Sequence, residues 1–164
     1  MLQKVKQYKV AVIQAGSEFM DKEKGVKKAV KLIKEASEEN AKIIVFPEAF
    51  IPAYPRGMSF GTVVGSRSEE GRKDFLRYWE NSITIPGPET DIIVKAAKQA
   101  KAYVVIGVIE KDRDSSQGTL YCTALFFGPD GEILGKHRKL KPTGSERLIW
   151  GEGDGSTLPV FDTP

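Results

Sequence analysis

Lys42–Ile51 reads KIIVFPEAFI, and the fold follows from it. Ile43, Ile44, Val45 and Phe46 form a short continuous apolar run rich in β-branched residues. Such a run predicts a strand buried on both faces, as in a parallel sheet. Pro47 stops it, because proline has no N–H to give to the ladder. Glu48 follows at once, flanked by Ala49, Phe50 and Ile51. A carboxylate just past the C-terminal end of a buried strand stands where open α/β sheets place their ligands. Its apolar neighbours should limit water access, an environment that suits a general base. An exposed loop acid fits the same position, and position alone does not choose between the two.

Working outward, Tyr8–Gln14 (YKVAVIQ) predicts a first strand, apolar on both faces at Val10, Ala11, Val12 and Ile13. Asp21–Glu39 predicts a helix, with Val26, Ala29, Val30, Ile33 and Ala36 on one buried stripe. Glu23–Lys27, Lys31–Glu35 and Lys34–Glu38 are pairs four residues apart on its wet side. Asn40 suits a left-handed turn after it. Strand, helix and strand make a β-α-β unit with parallel pairing and a right-handed crossover.

Beyond Glu48 lies a long loop, IPAYPRGMSFGTVVGSRS, in which Tyr54, Arg56, Met58 and Phe60 are either pocket-lining residues or buried anchors of a surface excursion. Glu69–Ser82 predicts a helix with Phe75, Leu76 and Trp79 in the core. Pro86-Gly87-Pro88 predicts a rigid turn, with Thr90 or Asp91 capping the helix that carries Ile92, Ile93, Ala96, Ala97 and Ala100. Tyr103–Glu110 and Leu120–Phe127 predict two more strands. GPDG at 128–131 is a turn, and Glu132–Lys136 the returning hairpin partner.

At 164 residues and 40% hydrophobic content the chain predicts a single domain, 1–164, with a sizeable core. The 25 Lys and Arg nearly balance the 22 Asp and Glu, so the net charge of +3 gives no argument for nucleic acid. No apolar run has the length of a membrane span, and MLQKVKQYKV at the start has no signal-peptide core. One cysteine excludes an internal disulfide framework and fits a reducing cytoplasm.

The second chemical stretch is Lys136–Asp154, KHRKLKPTGSERLIWGEGD. It fits a solvated cationic face. It also fits a lysine at a strand end near a carboxylate, a fixed positive charge for a developing oxyanion. His137 has no second histidine or cysteine beside it, which argues against a metal. Gly151, Gly153 and Gly155 read as backbone turns, since no helix pattern follows them. Cys122, on the strand face of Leu120, Ala124 and Phe126, reads as a small buried hydrophobe, with no activating group adjoining it in sequence.

VAVIQA at 10–15, VFPEAFIPAYPRG at 45–57, LYCTALFFGPDGEILGKHRKLKPT at 120–143 and ERLIWGEGDGSTLPVFDTP at 146–164 together resemble the nitrilase family of carbon–nitrogen hydrolases, its plant-type members in particular. The resemblance implies an α-β-β-α sandwich, of which this chain holds the N-terminal portion. It implies that Glu48 is the general base, Lys139 the stabiliser of the tetrahedral intermediate, and Glu146 a supporting glutamate. The family's nucleophilic cysteine lies in a CWEN-like motif after the DTP segment, so the expectation is a chain that ends before it. Cys122 does not match that position; the family commonly has asparagine there.

The implied activity is hydrolysis of a small nitrile to carboxylic acid and ammonia, without cofactor or metal. The alternatives are hydration of a nitrile or cyanide to an amide on the same scaffold, or a non-catalytic fragment that associates with itself. A homo-oligomer in the cytoplasm is expected, with no nucleic-acid or membrane partner.

Overall fold

The computed structural model describes residues 7–163. The reading of the first residues as free of a signal-peptide core lies largely outside them. Five strands form one sheet in the order β1-β2-β3-β4-β5: β1 (Lys9–Val12), β2 (Ala41–Val45), β3 (Tyr103–Lys111), β4 (Leu120–Phe127) and β5 (Ile133–Arg138). The first three are mutually parallel, and β4 and β5 run antiparallel to their neighbours. The fold is α/β, and the β-α-β unit expected around Lys42–Ile51 is its first half. Among the described residues no helix is long and apolar enough to cross a membrane.

The crossover between β1 and β2 is α1 (Lys22–Glu38). Asp21 is its N-cap, accepting from the Lys24 N–H at 2.9 Å, and Asn40 follows it at φ 64 in the left-handed region. Lys31–Glu35 and Lys34–Glu38 form on its wet side at 3.7 and 3.8 Å. Among the described residues Glu23–Lys27 does not pair; Lys24 reaches back to Asp21 instead.

Two further helices are α2 (Glu69–Asn81) and α3 (Pro88–Ala100). On α2, Leu76 is exposed rather than in the core, and Phe75 and Trp79 are only half-buried. Tyr78 is the fully buried anchor, because it is the residue turned toward Phe60 and the Ala53 carbonyl. α3 starts three residues earlier than a cap at Thr90 would set it, and four earlier than a cap at Asp91. Gly87 is its N-cap and Pro88 its first residue; the Gly87 N–H donates to Thr90 Oγ1 at 2.9 Å.

One face of the sheet packs on α1 and α3. Ile44, Val104, Ile106, Val108, Leu125 and Phe127 are buried there against Val26, Ala29, Ile33, Ile93 and Ala97. The register puts Val10, Val12, Ile43, Val45, Val105 and Phe126 together on the other face. Val10 is 50% and Val12 78% exposed, so the expected burial of both faces does not hold for β1. Ile43, Val45 and Val105 are half-buried. Segment 158–163 covers part of this face at β4 and β5, where Phe161 meets Phe126 with ring centroids 5.1 Å apart. The β1–β3 part is open among the described residues.

Candidate active site

Glu48 stands in a bulge between two pairings with β3. The Phe46 N–H donates to the Val105 carbonyl at 2.8 Å, and the chain rejoins β3 where Phe50 N–H donates to the Gly107 carbonyl at 2.7 Å. Between them Pro47 lacks a donor, and Ala49 takes φ 50, a left-handed conformation unusual for a residue with a Cβ. The bulge lies directly on β3 at Gly107. A Cβ there would stand 2.6 Å from the Glu48 Cα and the Ala49 nitrogen. The bulge throws the Glu48 side chain onto the open face of the sheet.

Lys139 leaves the end of β5, which extends through Arg138 rather than stopping at Lys136. Two backbone bonds fix its position: its N–H donates to the Cys122 carbonyl at 2.8 Å, and its carbonyl accepts from Gly153 N–H at 2.9 Å. Gly153 is required by that approach, since a Cβ would meet the Arg138 backbone. Gly151 N–H likewise donates to the Leu120 carbonyl at 2.8 Å. Gly151 and Gly153, two of the three glycines read as backbone turns, therefore hold the segment after β5 against β4 and β5.

Glu146 lies in a single 3-10 turn, Gly144–Leu148. Its Oε2 accepts from Thr143 N–H at 2.6 Å and from Lys139 Nζ at 2.9 Å, and its Oε1 accepts from the Tyr54 hydroxyl at 2.8 Å. Lys139 Nζ also donates to Glu48 Oε1 at 2.8 Å. The three side chains named by the resemblance thus converge, with the ammonium between two carboxylates.

Burial alone would lower the Lys139 pKa, but hydrogen bonds to Glu48 and Glu146 outweigh it and raise it well above the usual lysine range. Burial likewise opposes the charge on Glu146, whose side chain is 10% exposed. The Thr143 N–H, Lys139 and Tyr54 reverse that and hold its carboxyl below the ordinary range. Both groups are therefore charged at neutral pH. The Glu48 side chain is 50% exposed, so its apolar neighbours in sequence do not shield it; Phe50 and Ile51 turn into the helix-side core instead.

A cavity of about 310 Å³ opens beside this cluster, lined among others by Phe46, Glu48, Cys122, His137 and Lys139. A second, of about 300 Å³, lies behind Glu146 and takes Tyr54, Met58 and Phe60 from the long loop. Arg56 is exposed and outside both. The sequence reading missed Trp150, which is buried edge-on to Tyr54 at 5.6 Å and carries Lys139 Nζ 5.8 Å from its ring centroid.

Cys122 is buried, as expected, but it is not remote from chemistry. Its Sγ lies 3.4 Å from Glu48 Oε1. Burial and the Glu48 carboxylate push the thiol up to about 12.

A mixed α/β sheet led by a β-α-β unit carries this Glu-Lys-Glu cluster at one rim, and the chain belongs to the carbon–nitrogen hydrolase family, whose pattern matches residues 9–164. It is 51% identical to the bifunctional nitrilase/nitrile hydratase NIT4A of Lupinus angustifolius over 95% of this chain and 44% of that protein. It is 50% identical to nitrilase 2 of Arabidopsis thaliana and 53% identical to nitrilase blr3397 of Bradyrhizobium diazoefficiens, covering 95% of this chain each time and 45% and 47% of those proteins. The chain therefore spans less than half the length of these relatives. Its fold matches that of Saccharomyces cerevisiae Nit3, a member of branch 10 of the nitrilase superfamily, with a TM-score of 0.70 at 24% identity, over 92% of this chain and 50% of that one.

Proposed function

We propose that this chain supplies the base and the electrostatic clamp of a nitrilase, and that the thiol nucleophile comes from sequence beyond residues 1–164. The observation that carries this reading is Lys139 Nζ held at 2.8 and 2.9 Å between Glu48 and Glu146 at the mouth of a cavity. Thiolate attack on the nitrile carbon gives a thioimidate. A water that loses its proton to Glu48 adds to it, ammonia leaves, and the resulting thioester is hydrolysed by a second water to the acid. Lys139 is a fixed cation for the negative charge that develops on the former nitrile nitrogen and then on the tetrahedral oxygen. Glu146 keeps that lysine charged and aimed. Cys122 is not assigned as the nucleophile: it does not match the family's CWEN-like motif, and burial and the Glu48 carboxylate both oppose its ionisation.

A second reading, release of the amide after the first water, is supported by relatives named as bifunctional nitrilase/nitrile hydratases. It differs only in which group leaves the tetrahedral intermediate.

The open β1–β3 face supports a further proposal, that the chain associates through it, with a second copy or with the remainder of a longer protein.

The test is ammonia release from a panel of aliphatic and arylacetonitriles, with amide and acid separated chromatographically. The 164-residue chain should be inactive. Extension through the remaining length of its relatives should give hydrolysis, and Glu48→Gln or Lys139→Ala should abolish it. Turnover by the chain alone, or full activity in either variant, would overturn the assignment.

A further inference from the structure

Cys122 is left without a task in the mechanism above, yet it is built into the cluster at two points. Its carbonyl accepts from the Lys139 N–H at 2.8 Å, which sets where Lys139 leaves the sheet. Its thiol donates to Glu48 Oε1 at 3.4 Å, the same oxygen that takes the Lys139 ammonium at 2.8 Å. Glu48 Oε1 is thus held from two sides by donors hung on neighbouring strand ends. Among the described residues Glu48 Oε2 accepts no hydrogen bond from a protein donor, and the side chain is half exposed toward the cavity.

We propose that Cys122 is a positioning residue: its S–H and the Lys139 ammonium pin Glu48 Oε1, so that Oε2 is the oxygen left to take a proton from water. The proposal rests on the reading of Glu48 as general base. A buried thiol suits this task because it is a small donor that stays protonated; burial and the facing carboxylate push its ionisation up to about 12. It resists turning into a competing acceptor at the base.

Two measurements test it. The chain has one cysteine, so thiolate absorbance and alkylation by iodoacetamide report Cys122 alone. In Glu48→Gln the thiol should ionise at lower pH than in the wild type and alkylate several-fold faster at a fixed alkaline pH. Superimposable titrations of the two folded proteins would overturn the contact. In the extended, active protein, Cys122→Ser keeps a donor and should stay within about threefold of wild-type kcat. Cys122→Val fills the space without a donor and should lose about tenfold in kcat at unchanged KM, the scale of one hydrogen bond to a charged group. Equal rates for Val and wild type, or a Ser variant as slow as Val, would overturn the positioning role. If the extended wild type hydrolyses no nitrile, it is the Glu48 reading that fails, and the thiol titration still decides the contact.

Discussion

Gly107 and Glu48 share one space: the missing side chain of the first is where the backbone of the second lies. A Cβ at position 107 would meet the Glu48 Cα and the Ala49 nitrogen at 2.6 Å, and both are main-chain neighbours that no rotamer change removes. Gly107→Ala should therefore lift the bulge off β3 and separate Glu48 from Lys139. Overpacking of this kind costs about 1–3 kcal/mol. Urea denaturation should show that loss. An unchanged midpoint would mean that the bulge has slack.

Glu110 is 1% exposed and sits under Arg138, whose Nε and Nη2 donate at 3.1 and 2.6 Å, with Thr123 Oγ1 at 2.7 Å and Lys136 also bonded. Arg138 in turn lies 3.9 Å over the Tyr121 ring. Glu110→Ala strands Lys136 and leaves Arg138 only its longer bond to Asp112 at 3.3 Å. The loss should be about 3 kcal/mol, the low end for a broken buried pair, because Lys136 reaches solvent at 27% exposure. Thermal unfolding of the variant checks it.

The same carboxyl predicts the acid limb of stability. Burial pushes the Glu110 pKa up, but bonds from Arg138, Lys136 and Thr123 win and hold it below the ordinary carboxylate range. Glu146 is lowered as well, against its own burial, and Asp112 is held far below its usual value by Ser115, against its burial, with further N–H donors at 114–116. A depressed folded-state carboxyl stabilises above its unfolded pKa and loses that contribution as pH falls through the folded value. Stability should be flat near neutrality and fall progressively once pH drops through the unfolded carboxylate range, about pH 4. Glu110→Gln should flatten that fall. A Tm that is constant from neutral to strongly acid pH would sink the argument.

Tyr54 reaches across 92 residues to Glu146 Oε1 at 2.8 Å. The bond to Glu146 is the main reason the phenol pKa is raised. Tyr54→Phe removes one of the donors that keep Glu146 charged, so the Glu146 carboxyl should titrate at higher pH. The stability cost should be about 1 kcal/mol. Carbon-detected NMR of the glutamate carboxyls reads the first, denaturation the second.

Val10 and Val12, 50% and 78% exposed on the open face, should make the chain associate as concentration rises. Val12→Lys places a charge on that face and should shift the population toward monomer in light scattering. A wild-type chain that stays monomeric at all concentrations would count against association through this surface.

Much of this was legible along the chain. The β-branched run at Ile43–Val45, the apolar stripe of α1 and the strand at Leu120–Phe127 are local patterns, and period and composition suffice for them. The motifs also carried Glu48, Lys139 and Glu146 together: the first two stand just past strand ends and the third in the short 3-10 turn that follows. What the sequence could not decide was everything set by a neighbour distant in the chain. Leu76 and Tyr78 look alike as core residues until Phe60 picks one. β1 reads as doubly buried because β-branched residues do not reveal whether a second layer lies over them. Glu48 reads as shielded by Phe50 and Ile51, but the bulge over Gly107 turns those two inward and the carboxylate outward. Cys122 reads as inert because its partner is 74 residues away. Local periodicity determines which segments become helix and strand; strand register and loop packing bring the charges and the thiol together, and those exist only once the sheet has formed.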